Sequence, residues 1–236
     1  MDNNFILIDH KDGVRTIRLN RPDKKNAMCT SMYRTLTSVL NDDAKDDKVV
    51  VTILTGCGGY FTSGNDIKTG LSEDISTETR LKIVQDMVTA FIDYPKLLIA
   101  IVNGPAIGIG ATMAVLCDII YVTDKALFDL PFVKLGLCAE AASSFTFPYI
   151  LGRSKASEML YLNHQLDARE AYHFGLVSKV IPHDQLDNFI NELRRYGRLP
   201  VNSVKLNKKL VMASLKAILS ECNQREMEQL SELFKD

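Results

Sequence analysis

Alternation is the first pattern along the chain. Phe5-Ile6-Leu7-Ile8, a turn at Lys11-Asp12-Gly13 and Val14-Arg15-Thr16-Ile17-Arg18-Leu19 read as a β-hairpin, and Pro22 ends its second strand. Met32, Leu36, Val39 and Leu40 then recur at helical spacing until the polar run Asn41 to Lys48. Val49 to Leu54 is an almost unbroken β-branched run, as in a strand buried on both faces, and Gly56, Gly58 and Gly59 follow it. The cycle repeats: a helical stripe of Leu81, Ile83, Val84, Met87, Val88, Phe91 and Ile92, then a second buried strand at Leu97 to Val102 and the turn Asn103-Gly104-Pro105. Ile107 to Leu116 reads as a small-residue helix and Ile119 to Val122 as a short strand. Beyond Pro131 helices dominate, over Ser143–Leu151, Lys155–Leu162, Ala168–Phe174 and Gln185–Tyr196 and from Val201 onward, with one strand at Val177–Ile181. Leu206, Leu210, Leu215, Leu219, Met227, Leu230 and Leu233 predict a packed face on the tail.

Strand, glycine-rich loop and helix in alternation give an α/β layered fold, because parallel strands need crossover helices. At 236 residues one domain with a small appended element is expected. A net charge of -1 offers no global attraction to nucleic acid or an anionic membrane. The apolar run Leu97 to Val102 is far too short to span a bilayer, so no membrane insertion is expected. Five widely spaced cysteines, none in a CxxC pair, and four histidines without an HExxH pair predict neither disulfides nor a metal site. The start Met1-Asp2-Asn3-Asn4 is no targeting peptide, and Phe234-Lys235-Asp236 is no peroxisomal address.

Two loops stand at the carboxyl ends of buried strands, where α/β proteins place ligands: Thr62-Ser63-Gly64-Asn65-Asp66-Ile67 and Asn103-Gly104-Pro105-Ala106-Ile107-Gly108-Ile109-Gly110. Simple turn chemistry accounts for either loop alone. The intervals between Gly104, Gly108 and Gly110 do not fit a dinucleotide fingerprint, and no GKS or GKT marks a P-loop. What the loops do offer is backbone N–H groups with little side chain in the way, at Asn65 and Ile109, the raw material of an oxyanion hole.

The ordered set Leu19-Asn20-Arg21-Pro22 with Asn26-Ala27, Phe61-Thr62-Ser63-Gly64-Asn65-Asp66-Ile67, Ala100 to Gly108, Cys117-Asp118-Ile119-Ile120-Tyr121 and Asp167-Ala168 through Gly175-Leu176-Val177 resembles the enoyl-CoA hydratase/isomerase (crotonase) family over nearly the whole chain. The resemblance implies a spiral of repeated β-β-α units with a C-terminal helical trimerisation region. The spiral core would cover residues 1–199 and the helical region 200–236. It also implies trimers or pairs of trimers, an acyl-CoA thioester as substrate, and no cofactor beyond the CoA that the substrate carries. The thioester carbonyl would lie between the N–H groups of Asn65 and Ile109, with Ser63, Gly64, Asp66, Ile67 and Gly108 around it. Family members usually continue past a segment like Ser220 to Asp236, so the chain is expected to be truncated or naturally short at its C-terminus.

One oxyanion hole serves many reactions, so the acid/base side chains decide among them. Family hydratases use two carboxylates, and the matching positions here are Thr112 and Phe132, neither of which is a base. In Gly136-Leu137-Cys138-Ala139-Glu140-Ala141-Ala142 a single glutamate is expected to open a helix, and a helix-start acid is the plain reading of Glu140. Glu140 with Thr146-Phe147-Pro148 nevertheless resembles the catalytic pattern of the family's enoyl-CoA isomerases, and residues 63 to 66 look like the peroxisomal-type branch. That resemblance implies a one-base proton shift converting 3-enoyl-CoA to 2-enoyl-CoA in fatty-acid β-oxidation, in a peroxisome or mitochondrion. Burial would raise the pKa of Glu140, and helix-start amides would lower it.

Phe61, Phe132 and Leu137 are candidates for the acyl-chain wall and equally good core residues. Lys24, Lys25 and Lys68 are candidates for the CoA phosphates or members of a solvated face. Cys138 lacks a histidine partner and reads as a packing residue. The alternatives are another crotonase reaction, such as acyl-CoA hydrolysis or weak hydration, and a non-catalytic acyl-CoA-binding protein.

Overall fold

The computed structural model describes residues 4–66 and 75–234. A six-stranded sheet forms its centre, in the order β1 (Ile6–Lys11), β2 (Val14–Leu19), β3 (Val51–Gly56), β4 (Leu97–Val102), β6 (Ile119–Thr123) and β9 (Lys179–Ile181). The hairpin β1–β2 is antiparallel, and every later pairing in this sheet is parallel. Three further strands, β5 (Pro105–Ile107), β7 (Leu127–Asp129) and β8 (Leu166–Asp167), make a second, smaller sheet. Isolated bridges Thr62–Ala106 and Met28–Asn65 extend it. On leaving β3, β4 and β6 the chain thus adds a short segment to the second layer, which generates the spiral.

The β-branched runs sit at the centre because their two faces feed two cores. Successive residues of a strand point to opposite sides of the sheet. Val51 and Ile53 with Ile99 and Ile101 pack against Phe189, Ile190 and Leu193 of the helix Leu186–Leu193. Leu54 with Leu98, Ala100 and Val102 joins the larger cluster, which includes Met32 and Leu36 of α1 (Thr30–Lys45) and Met87 and Phe91 of α2 (Thr77–Asp93).

Several boundaries differ from expectation for backbone reasons. The helix expected from Ile107 starts at Ile109, giving α3 (Ile109–Val115), because Pro105–Ile107 pairs with Leu127–Asp129 and Gly108 turns at φ 54°. The last strand shrinks to Lys179–Ile181 because the N–H groups of Leu176 and Val177 bond to Ala171 O. Strands of two and three residues, such as β8 and β5, are too short to show a period in sequence.

The helical part comprises α4 (Ser143–Leu151), α5 (Arg153–Leu162), α6 (Ala168–His173), α7 (Leu186–Leu193), α8 (Val201–Met212) and α9 (Lys216–Leu233). Only half of the expected tail face is packed. Leu206 and Leu210 are exposed, because α8 touches the molecule through Val201, Val204 and Met212. In α9, Leu219, Cys222, Met227 and Leu230 are buried, and Asn223 and Glu226 are buried beside them. Among the described residues no helix is long and apolar enough to cross a membrane.

Candidate active site

Polar side chains fix the first loop. Asn26 is wholly buried in a left-handed conformation that asparagine tolerates. Its Oδ1 accepts the Arg21 N–H at 2.8 Å, and its Nδ2 donates to Cys57 O and Tyr60 O, each at 2.8 Å. Arg21 Nη1 donates to Ala27 O at 2.6 Å and pairs with Asp66 at 2.9 Å. From the neighbouring strand, Asn103 Nδ2 donates to Gly58 O at 2.8 Å while its Oδ1 accepts the Gly56 N–H at 2.9 Å. Thr62 Oγ1 donates to Asn26 O at 2.7 Å and accepts the Gly64 N–H at 3.1 Å.

This frame presses the two turns together. Gly64 has φ 86°, and a Cβ there would stand 2.8 Å from Ile107 O and 4.0 Å from Gly108 Cα. Gly108 N–H donates to Asp129 O at 2.8 Å, Asp66 N–H to Met28 O at 2.9 Å, and the Ala111 and Thr112 N–H groups to Gly108 O. No backbone bond among the described residues uses the N–H of Asn65 or Ile109. Ile109 is the first residue of α3, where an N–H has no partner within the helix. Two N–H groups on abutting turns thus stand outside the backbone hydrogen-bond network of the described residues.

Glu140 stands over the second turn. Its Oε1 lies 3.9 Å from where a Cβ on Gly108 would be, and Phe132 Cε1 lies 3.8 Å from the same point. Tyr33, on α1, donates its hydroxyl to Asn65 Oδ1 at 2.5 Å. Burial holds that hydroxyl well above its usual pKa range, so it remains a donor. With its oxygen engaged, the Asn65 amide turns its NH2 group to the Glu140 carboxylate.

Glu140 does not open a helix. Helix α4 begins at Ser143, and Glu140 precedes it on a turn in which Ala141 and Ala142 both have φ 58°. The helix-start amides expected to lower its pKa belong to another acid: Glu226 accepts the N–H groups of Ala142 and Ser144 at 2.6 and 2.8 Å. Burial, reinforced by the charge of Glu226 and opposed by the Asn65 bond, pushes Glu140 up to about 7.

Several other expected residues lie close by. Phe132 is buried beside Gly108, and Ser63 and Leu137 are half-buried. Thr112 is wholly buried with its hydroxyl 3.3 Å from Ile109 O, and Phe61 is wholly within the core. The Asp66 carboxylate is held by Arg21, which makes it part of the frame. Lys24 and Lys25 are exposed, with Lys25 Nζ 5.1 Å from the centre of the Tyr60 ring. Ile67 and Lys68 lie outside the described residues. Cys138 is half-buried, and burial pushes its thiol up, as suits a packing residue.

Sequence reasoning missed Tyr33, the side-chain role of Asn65, and Glu226. A signal existed for Glu226, which falls on the inward stripe of α9 with Leu219, Cys222 and Leu230.

The family model for enoyl-CoA hydratase/isomerase matches residues 9–236. Enoyl-CoA delta isomerase 2 of Rattus norvegicus is 39% identical over 94% of this chain, which spans 58% of that protein. Peroxisomal enoyl-CoA delta isomerase 3 of Mus musculus is also 39% identical over 94% of this chain and is 71% covered. The crystal structure of an enoyl-CoA hydratase/isomerase from Pseudoalteromonas atlantica T6c superposes with a TM-score of 0.91 at 31% identity, covering 98% of this chain and 92% of that one.

Proposed function

Because this chain belongs to the enoyl-CoA hydratase/isomerase family, we propose that it uses the shared thioester site to move the double bond of 3-enoyl-CoA to the 2-trans position. One observation carries this reading. The carboxylate over the paired turns is Glu140, with a pKa near 7, whereas the positions matching the hydratase acids hold Thr112 and Phe132. A hydratase must position and deprotonate a water while delivering a proton to C2; a double-bond shift needs only one group that takes a proton and returns it.

The thioester oxygen would accept the N–H groups of Asn65 and Ile109, which acidifies the C2 protons. Glu140 removes one of these protons, and the electron pair delocalises through C3–C4 into a dienolate. The amides hold its oxyanion more strongly than the ground-state carbonyl, which lowers the barrier. Glu140 then returns the proton to C4, and the enolate collapses to the conjugated thioester. A base titrating near neutrality suits both halves of this cycle. Phe132 and Leu137 would wall the acyl chain, and Lys24 and Lys25 would meet the CoA phosphates.

The names of the rat and mouse relatives support an isomerase, and the peroxisomal designation of the latter supports a peroxisomal setting; a double-bond shift of this kind would serve the β-oxidation of unsaturated acyl chains, in a peroxisome or mitochondrion. Family membership carries the expectation of trimers or pairs of trimers, and exposed Tyr149, Tyr161, Leu162 and Tyr172 on α4, α5 and α6 are available for subunit contact; sedimentation at micromolar concentration tests it. The decisive experiment is turnover of 3-hexenoyl-CoA and of a 2-enoyl-CoA side by side, for the native chain and Glu140→Gln. We expect isomerisation, little hydration, and a loss of about 10³-fold or more in the variant. Unchanged isomerisation by Glu140→Gln would sink the assignment, dominant hydration would favour the hydratase reading, and binding without turnover would favour the non-catalytic one.

A further inference from the structure

Glu226 is out of place by the rules that govern the rest of α9. It is 5% exposed on a stripe of Leu219, Cys222, Met227 and Leu230, and burying a carboxylate is costly unless it is fully hydrogen-bonded. Here it is. Oε2 accepts the Ala142 N–H at 2.6 Å and Oε1 the Ser144 N–H at 2.8 Å, and Cys222 Sγ lies 3.6 Å from Oε1. Ser144 Oγ completes the cluster, 3.1 Å from Cys222 Sγ. Helix α4 has no capping side chain of its own, because Ala142 occupies that position in a left-handed conformation. The acid that serves it arrives 84 residues after Ala142.

We propose that Glu226 is a positioning residue for Glu140: by bridging the N–H groups of Ala142 and Ser144, it fixes the left-handed Ala141–Ala142 turn that carries the Glu140 carboxylate over Gly108. The inference rests on the reading of Glu140 as the base.

Two left-handed alanines in succession are unfavourable unless neighbouring structure imposes them. On the carboxyl side of the turn the imposed contact is the fork to Glu226; on the amino side, Asn65 holds the Glu140 carboxylate. Together they leave the carboxylate little freedom. A neutral cap would fix the turn equally well, so the charge has a separate consequence. Burial raises the pKa of Glu226 as well, but two backbone donors oppose that rise where Glu140 has one side-chain donor; the Glu226 anion, held by those amides, favours the protonated form of Glu140. Among the described residues, the other groups with a hydrogen bond or charge interaction with the pair are Tyr33 from α1, Asn65 from the first loop, Cys138 from the segment before Glu140, and Ser144 and Cys222 from the two helices, and none of these carries a positive charge.

The test compares Glu226→Gln, Glu226→Asp and Glu226→Ala with the native chain, using the full pH profile of 3-hexenoyl-CoA isomerisation. Gln retains shape and one acceptor without the charge. Its acidic midpoint for kcat/KM should fall by about half a unit or more, with kcat down about tenfold and KM within threefold. Asp retains the charge but not the reach to both amides, so kcat should fall while the midpoint stays nearer the native value. Ala should lose about 100-fold in kcat; if it fails to fold, the Gln and Asp pair still decides. A Gln variant with native midpoint and native kcat overturns the proposal. Should Glu140→Gln itself still isomerise, it is the underlying reading that fails, and the two failures are told apart.

Discussion

The two halves of the site are held in opposite ways. Around the paired turns the buried polar groups of Asn26, Arg21, Thr62 and Asn103 all have partners, and the left-handed positions include Lys25, Asn26, Gly64 and Gly108, of which Asn26 is locked by its own side chain. Around Glu140 the left-handed positions are alanines, two carboxylates are buried close together, and on the adjoining helix α4 Ser143 Oγ and Thr146 Oγ1 have no hydrogen-bond partner among the described residues. On the proposed reading the first region needs fixed geometry, since donors for electrostatic stabilisation must stand in place before charge develops. The second holds a carboxyl group whose anion burial disfavours, which on the same reading suits a group that carries a proton. Stability and reactivity are thus separated in space.

The contrast breaks most severely at Asn26. Replacing it by Ala removes three hydrogen bonds of 2.8 Å, strands the buried Arg21 N–H and Cys57 O, and puts alanine at φ 55°. A loss of about 4 kcal/mol is expected by urea unfolding. A cost below about 1 kcal/mol would show that the frame is not what holds the first loop.

Gly64→Ala comes next. Its methyl would stand 2.8 Å from the backbone oxygen of Ile107 at φ 86°, and no flexible side chain can yield there. We expect about 3 kcal/mol of destabilisation, together with a loss of turnover larger than the loss of thioester affinity, because the two amide donors are forced apart. Equal losses of kcat and affinity would argue against these turns as the oxyanion site.

On the other side, Glu140→Gln should stabilise the protein. Burial lifts this carboxyl from 4.5 to about 7, so the folded state holds the proton more tightly than the unfolded state does. Its contribution to stability is full below the unfolded pKa and is lost as pH rises through the folded value. Gln carries no charge, so the variant should match the native chain near pH 4 and gain steadily from pH 4.5 to 7. The gain should level at about 2 to 3 kcal/mol above that. A difference that is flat with pH would show that Glu140 is not strained by ionisation.

How far these features were legible in sequence follows from how local their causes are. The hairpin, the buried strands at Val51 and Leu97 and the helix of Met87 and Phe91 announce themselves because each pattern repeats within one element. Gly64, Asn65, Ile109 and Glu140 were legible through motif spacing, since each lies in a short run of characteristic residues. Tyr33 and Glu226 were not, because each acts across the fold: Tyr33 on a residue 32 positions away and Glu226 on one 84 away. The left-handed turn at Ala141–Ala142, where Glu140 is expected to open a helix, is hidden for the same reason. Alanine favours the helix locally, and the contacts that accompany the other conformation, among them the fork to Glu226, come from distant parts of the chain.

That last conflict gives the smallest and most discriminating prediction. Ala142 and Ala156 are both wholly buried alanines, but Ala142 is left-handed and Ala156 lies within α5. Changing either to glycine removes one buried methyl, at about 0.8 kcal/mol. In the helix glycine adds a further penalty of about 1 kcal/mol, so Ala156→Gly should cost about 2 kcal/mol. At the turn, relief of the left-handed strain offsets the lost methyl by about 1 kcal/mol, so Ala142→Gly should be neutral to within about 0.5 kcal/mol. The same chemical change at the same burial then differs only by backbone conformation, and the gap between the two variants in urea measures the strain stored beside Glu140. Equal costs would mean that the turn stores none, and that the contrast between the two halves of the site lies in their charges alone.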